Sequence, residues 1–313
     1  MIVTVTPNLA LDVTYELPEL RPGGTHRVET VHARAGGKGV NVARVLRSLG
    51  HDVLVVGLAG GATGDAVRAD LDAAGLAHDL VPITGETRRT VTVVAGGDAT
   101  LLNEPGPVIT PEEWTALQER IPDADVVVIS GSLPPGVSAD AVARLARRAR
   151  RDVPVIVDTS GEALRHAAPY AWAVKPNAAE LTELTGTDDP VAGARSLRAH
   201  AVVVSLGAEG LLAVTGDDVH RVSPPQVVSG NPTGAGDAVV AALAAGVGSP
   251  WPDLLKDAAA LSAAAVLASV AGSYDPAAYE GFRRCLSSPQ ESSSSPARAS
   301  ARSTSSSSNT PKR

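Results

Sequence analysis

Four nearly continuous apolar runs, Val53–Leu58, Val126–Ile129, Val153–Val157 and Val202–Leu206, limit this chain to very few folds. A strand that is apolar at every position is buried on both faces, and that happens when helices cover both sides of a parallel sheet. Helix-patterned segments lie between these runs: Val40–Leu49, Thr63–Ala74, Pro111–Arg120, Ala139–Arg150 and Ala178–Leu184, each opened or closed by Gly, Pro, Ser or Thr. Ile2–Thr6, ended by Pro7-Asn8, is a first buried strand. The alternation predicts an α/β fold with a doubly wound, mostly parallel sheet flanked by helices.

Other segments break that period. Ala10–Leu17, Arg27–Ala33, Thr90–Ala95 and Ala99–Asn103 alternate polar with apolar residues, and Gly96-Gly97-Asp98 is a hairpin turn between the last two. They predict a small antiparallel β-sheet covered on one face and set apart from the main body. Leu211–Val214 and Val219–Val222 form a meander, after which helices dominate as far as Leu286; Ala258–Ala271 is too short to span about 30 Å of hydrocarbon and is expected to be a buried helix. Residues 287–313, rich in Ser, have little to bury and are expected to be a disordered tail.

A net charge of −7 argues against nucleic acid or an anionic membrane as partner and leaves a small molecule. Cys285 is the single cysteine, and the first residues lack the pattern of a secretory signal, so a reducing cytoplasm is expected.

In open α/β sheets ligands bind beyond the carboxyl ends of the strands. The most informative loop is Gly230-Asn231-Pro232-Thr233-Gly234-Ala235-Gly236-Asp237, which runs into the alanine-rich helix former Ala238–Ala245. At a helix start the first N–H groups lack partners and the dipole is positive, so Gly234, Ala235 and Gly236 present an anion site. Asp237 there is either a general base for a substrate hydroxyl attacking a phosphoryl group, or an ordinary N-terminal cap. Gly36-Gly37-Lys38-Gly39-Val40-Asn41 opens another helix but is no Walker A loop, because Val40 stands where Ser or Thr would hold Mg²⁺. No G-x-G-x-x-G follows the first strand, which disfavours a nicotinamide dinucleotide. Asn177 and Glu180, three apart at a helix start, suit a hydrated Mg²⁺ or a capping box. Of Arg88 and Arg89, neighbours on a strand, one faces inward and could grip a phosphate. Asp12, taken alone, reads as a turn residue, and the scattered histidines show no metal spacing.

Together these residues resemble the PfkB carbohydrate kinase family of the ribokinase-like superfamily, over essentially residues 1–285, and within it the 1-phosphofructokinase and tagatose-6-phosphate kinase branch. Gly36–Asn41 and Gly230–Asp237 are similar to the family's two signatures. Thr6-Pro7-Asn8 with Asp12, Ala59-Gly60-Gly61-Ala62-Thr63-Gly64, Thr87-Arg88, Asn103–Pro107, Ser130–Gly136, Asp158–Leu164 and Lys175–Asn177 add to the match. The resemblance implies a kinase domain over 1–286, with segments of about 10–34 and 88–104 as a β-sheet lid that often serves as a dimer face. It implies ATP and Mg²⁺, with Asp237 as catalytic base and Gly234, Ala235 and Gly236 as anion hole. Asp12, Gly37 and Asn41 are then expected on sugar hydroxyls, and Lys38, Arg88 and Ser132 near the phosphate already on the sugar. Lys175, Asn177, Ser205, Gly207 and Gly210 are expected on the nucleotide side, with Asn177 and Glu180 acting on Mg²⁺ through water. The expected reaction is phosphorylation of fructose 1-phosphate to fructose 1,6-bisphosphate. Fructose 6-phosphate, tagatose 6-phosphate or a neutral sugar are alternative acceptors, and a sensor that binds without turnover is the alternative of another class. Thr90 stands where the family favours Asn, Arg89 adds a charge, and Leu101-Leu102-Asn103 lacks the arginine expected for fructose 6-phosphate.

Overall fold

The computed structural model describes residues 1–96, 98–149 and 153–287. In chain order the elements are β1 (Ile2–Thr6), β2 (Ala10–Leu17), β3 (Thr30–Gly36), α1 (Lys38–Ser48), β4 (Val53–Ala59), α2 (Gly61–Ala73), β5 (His78–Pro82), β6 (Arg88–Ala95), β7 (Asp98–Asn103) and α3 (Pro111–Glu119). Then follow β8 (Val126–Ser130), α4 (Ala141–Ala149), β9 (Val155–Asp158), α5 (Gly161–Ala167), β10 (Ala173–Val174), α6 (Ala178–Thr185), α7 (Pro190–Ser196) and β11 (Ala201–Ser205). The chain continues with β12 (Leu211–Thr215), β13 (Asp218–Val222), α8 (Ala235–Ala245), α9 (Trp251–Val266) and α10 (Pro276–Ser287).

Nine strands form the main sheet in the order β13-β12-β11-β10-β9-β8-β1-β4-β5. Every pairing from β5 to β11 is parallel, and β12 and β13 add an antiparallel edge. Successive residues of each strand feed opposite cores. Ile2 and Val55 pack with Val40, Leu46, Val67 and Leu243 from the helices of one layer, while Val3 and Val56 pack with Leu117, Leu145 and Leu164 from the other. Helix α8 is almost all small apolar residues, and residues 237–244 are buried, so it packs closely on α1 and α9. This agrees with the doubly wound, mostly parallel sheet expected from the alternating runs.

The small sheet has the order β3-β2-β6-β7. It is mixed, not antiparallel as expected: β2 and β6 run parallel, because the chain leaves the small sheet after β3 and returns to it only after β4, α2 and β5. Its strands start and stop in slightly different places from the sequence reading, most visibly β3, which runs to Gly36 instead of Ala33. The register puts Asp12, Arg34, Arg88 and Thr90 on one face and Val13, Tyr15, Val31, Val91 and Leu102 on the other. The β6–β7 hairpin is present, with Ala95 paired to Asp98; Gly97 of its turn lies outside the described residues, as do Arg150 of the expected helix and the tail from residue 288. The buried helix placed at Ala258–Ala271 instead covers Trp251–Val266, since Pro250 starts it and residues 267–272 turn away. Among the described residues no helix is long and apolar enough to cross a membrane.

Candidate active site

The first turn of α1 meets three carboxylates. The Gly37 N–H is hydrogen-bonded to Asp12, the Lys38 ammonium lies 3.3 Å from Oδ1 of Asp158, and Asn41 Nδ2 donates to Oδ2 of Asp237 at 2.9 Å. The close approach of Asp12 explains the residue before them: a Cβ at Gly36 would overlap the Asp12 carboxylate. These three acids come from β2, the end of β9 and the first turn of α8, so α1 is the element around which the site is assembled.

Asp237 is only 6% exposed. Burial, and then the nearby Asp158 charge, push its carboxyl up to about 6, against the opposing pull of Asn41, Lys38 and Lys175. It therefore changes charge close to neutral pH, which suits a proton acceptor. The α8 cap on which it sits depends on Gly234, whose φ of 90° and contact with Ala271 leave no room for a side chain. Asp237 is not itself the cap; it lies two residues inside the helix, and its side chain accepts from Asn41 instead of from its own helix.

Asp158, a residue without an expected role of its own, is the centre of the charge arrangement. Its Oδ1 lies 3.3 Å from Lys38 Nζ and 3.4 Å from Lys175 Nζ, and Ser130 Oγ donates to its Oδ2 at 3.3 Å. Burial opposes the Lys38 charge, but Asp158, Glu180 and Asp237 outweigh it and raise its pKa, so the ammonium persists. Lys175 is buried, and its Nζ would be 3.4 Å from a Cβ at Gly236, which puts this ammonium against the α8 N-terminus. The signal available in sequence was an acid directly ending an all-apolar strand, where α/β sites collect.

A second group sits on the polar face of the small sheet. Arg88 donates from Nε to the Asn8 carbonyl at 3.2 Å and from one Nη to the Glu104 carbonyl at 3.2 Å, and its charge faces Asp12. Burial raises the Asp12 carboxyl, opposed in order by Arg88, the Thr90 hydroxyl, Arg34 and the Gly37 N–H. Asn8 Nδ2 reaches Ser132 Oγ at 3.1 Å and the Pro105 carbonyl at 3.0 Å, bringing Ser132 to the same rim. Arg89 points away, toward Thr63, as the alternation of a strand requires.

On the other side of the α8 N-terminus, Asn177, Ser205, Gly207, Gly210, Ala235 and Gly236 line a cavity of about 630 Å³ whose far wall includes Val227, Ala259 and Val266. Lys175 does not line it; the structure puts that residue beneath the anion turn. Asn177 and Glu180 form a reciprocal capping box, Glu180 N–H donating to Asn177 Oδ1 at 2.8 Å and Asn177 N–H to Glu180 Oε2 at 2.9 Å. Among the described residues no group of three or more His, Cys, Asp or Glu side chains could cage a metal ion.

The site thus comprises a polar rim with cations, a buried acid at a helix N-terminus and a largely apolar cavity on the other side of it. The model for the pfkB family of carbohydrate kinases matches residues 8–278. A 1-phosphofructokinase of Haloferax volcanii is 40% identical over 251 residues, spanning 77% of this chain and 82% of its own. Phosphofructokinase-2 from Escherichia coli, solved with potassium, superposes with a TM-score of 0.86 at 31% identity, covering 92% of this chain and 99% of that one. The same enzyme with fructose 6-phosphate gives 0.84 over the same shares. A possible 1-phosphofructokinase from Thermotoga maritima gives 0.80 at 26% identity, over 90% and 97% of the two chains.

Proposed function

The chain belongs to the pfkB family of carbohydrate kinases, and from that premise we propose that it transfers the γ-phosphate of ATP to fructose 1-phosphate, forming fructose 1,6-bisphosphate and ADP. The observation that carries this reading is the 40% identity to a 1-phosphofructokinase over most of both chains. A phosphorylated acceptor is supported by the cations of the site: Arg88 faces Asp12, and Lys38, paired with Asp158, stands at the start of α1, where an anionic group can be gripped.

In this reading the small sheet is the lid of the kinase domain. Asp12, Gly37 and Asn41 hold the sugar hydroxyls, and Lys38, Arg88 and Ser132 hold its phosphate. The acceptor O–H gives its proton to Asp237 as the oxygen forms a bond to the γ-phosphorus and the bond from phosphorus to the β–γ bridging oxygen breaks, releasing ADP. The N–H groups of Gly234 and Gly236, with Lys175 behind them, stabilise the charge on the transferring group, whereas the Ala235 N–H, expected to join them, donates to the Pro232 carbonyl at 3.2 Å. ATP lies in the cavity lined by Asn177, Ser205, Gly207 and Gly210. Asn177 and Glu180, joined in the capping box, would hold a hydrated Mg²⁺ through water, and the ion would neutralise phosphate charge. The exposed Val31 and Leu102 on the apolar face of the lid support a homodimer through that face, and the acidic chain with one cysteine supports a cytoplasmic location.

The second reading is fructose 6-phosphate, favoured by the E. coli enzyme that was solved with it at 31% identity. ADP release with Mg-ATP and, in parallel, fructose 1-phosphate, fructose 6-phosphate, tagatose 6-phosphate and fructose decides. The proposal expects kcat/KM for fructose 1-phosphate to exceed the others by about 100-fold, which is about 2.7 kcal/mol of transition-state binding. Equal or better turnover of another acceptor overturns it.

A further inference from the structure

The string Ala59-Gly60-Gly61-Ala62-Thr63-Gly64 has no part in the chemistry above, yet its backbone is locked to the segment that leads into the lid. Thr87 N–H donates to the Gly60 carbonyl and Gly60 N–H donates to Thr87 Oγ1, each at 2.9 Å. Glu86, the residue before, lays its carboxylate over the N-terminus of α2, where Thr63 N–H donates to Oε1 at 2.6 Å. The Thr63 hydroxyl and the Ala62 N–H also bond it, and the Thr63 contacts come first among the causes that hold its pKa below the usual carboxylate range. A Cβ at Gly61, whose φ is 67°, would overlap the Glu86 carboxylate, so a glycine is needed for the carboxylate to reach its seat.

The last turns of the same helix hold another lid crossing. Asp70 Oδ2 accepts from the Ala35 N–H at 2.8 Å and pairs with Arg44, whose guanidinium also reaches the Ala35 carbonyl. Ala35 is fully buried and immediately precedes Gly36, the floor beneath Asp12. Thus Thr87-Arg88 is fixed at one end of α2 and Ala35-Gly36 near the other. An α-helix rises 1.5 Å per residue and resists stretching, so the spacing of the two crossings is set by α2.

We propose that α2 is a strut that holds both lid crossings in register, with Glu86 and Asp70 as positioning residues that place Arg88 and Asp12 around the phosphosugar. Neither residue touches the sugar. Both act on the acceptor end alone, because the nucleotide cavity is built from β11, β12, α8 and α9. The proposal rests on the lid carrying the acceptor, as in the function proposed above.

The test compares Glu86→Gln, Asp70→Asn and Gly61→Ala with Asp189→Ala, which removes the N-cap of α7 on the opposite layer. The strut variants should raise KM for the acceptor at least about fivefold, with KM for ATP within about twofold. Asp189→Ala should leave both KM values in place. In the ligand-free protein, amide exchange over residues 31–35 and 88–94 should accelerate at least about tenfold in the strut variants, with residues 126–130 unchanged. A proportional rise in both KM values, or unchanged exchange at the crossings, overturns the proposal. Gly61→Ala keeps both carboxylates, so it still reports if Glu86→Gln or Asp70→Asn fails to fold. If the wild type prefers another acceptor, the KM ratio is taken on that acceptor, and the exchange measurement needs no substrate at all.

Discussion

Asn41 and Asp237, 196 positions apart in sequence, share a buried 2.9 Å hydrogen bond in which the amide donates and the carboxylate accepts. The bond steadies an anion that its surroundings disfavour, since burial and Asp158 together lift the Asp237 pKa to about 6. The site thus holds a carboxylate that takes up a proton readily, at the cost of folding stability.

That trade predicts opposite effects of Asp237→Asn on activity and on stability. Removing the base should lower kcat about 10³-fold while the affinity for ATP, measured by calorimetry, stays within about twofold. Because the folded pKa lies above the ordinary 3.8, the native state favours the protonated form. This contribution is full below pH 3.8 and is lost as pH rises through 6. A shift of that size corresponds to about 3 kcal/mol, so the Asn variant should be more stable than wild type by about 1–3 kcal/mol at pH 8, and by almost nothing at pH 4. Urea unfolding at both values checks this, and a variant less stable at pH 8 contradicts the buried-charge account.

The acidic limb of the pH profile should move in two directions. As a base Asp237 works only when ionised, so kcat/KM is expected to fall tenfold per pH unit below about 6. Asn41→Ala removes a donor that favours the anion and should move the limb up. Asp158→Asn removes a repelling charge and should move it down, even as the loss of the partner of Lys38 and Lys175 lowers the plateau. Limbs that stay in place in both variants would mean that another group sets the profile.

Gly36→Ala should impair the acceptor side selectively. The added methyl would occupy the space of the Asp12 carboxylate, so Asp12 must leave its place beside Gly37 and Arg88. KM for fructose 1-phosphate should rise about 10-fold or more with little change in KM for ATP, as initial rates at varied concentrations of each substrate would show.

How much of this was legible beforehand follows from the range of the forces involved. The buried strands and their helices were readable because continuous apolar runs and Gly or Pro stops are local signals, and the start of α8 after Gly234 was readable for the same reason. The edge strand β5 was missed because His78 and Asp79 interrupt its apolar run, and β10 because it has only two residues. The parallel pairing of β2 with β6 depends on where the chain returns after β4, α2 and β5, which no local pattern records. The spacing of Asn177 and Glu180 suits a cap as well as a metal pair, and the structure shows the capping box. The importance of Asp158 comes from two lysines 120 and 17 positions away converging on one oxygen, which no local pattern records.

Arg88 separates the phosphosugar reading from a neutral-sugar one. Its guanidinium is pinned by the Asn8 and Glu104 carbonyls and balanced by Asp12, so it is aimed before any substrate arrives, and one Nη takes part in neither of those carbonyl bonds. A charge-assisted contact from such a pre-set group contributes about 1.5–3 kcal/mol, or roughly 10- to 150-fold in affinity. Arg88→Ala should therefore raise KM for fructose 1-phosphate by that factor and leave any turnover of free fructose nearly unchanged. Arg88→Lys should recover only part of the loss, because an ammonium keeps the charge but not the fork that holds two carbonyls while facing a phosphate. If both acceptors suffer equally in Arg88→Ala, the arginine is a brace between Asn8 and Glu104, and the phosphate must be held by Lys38 and Ser132.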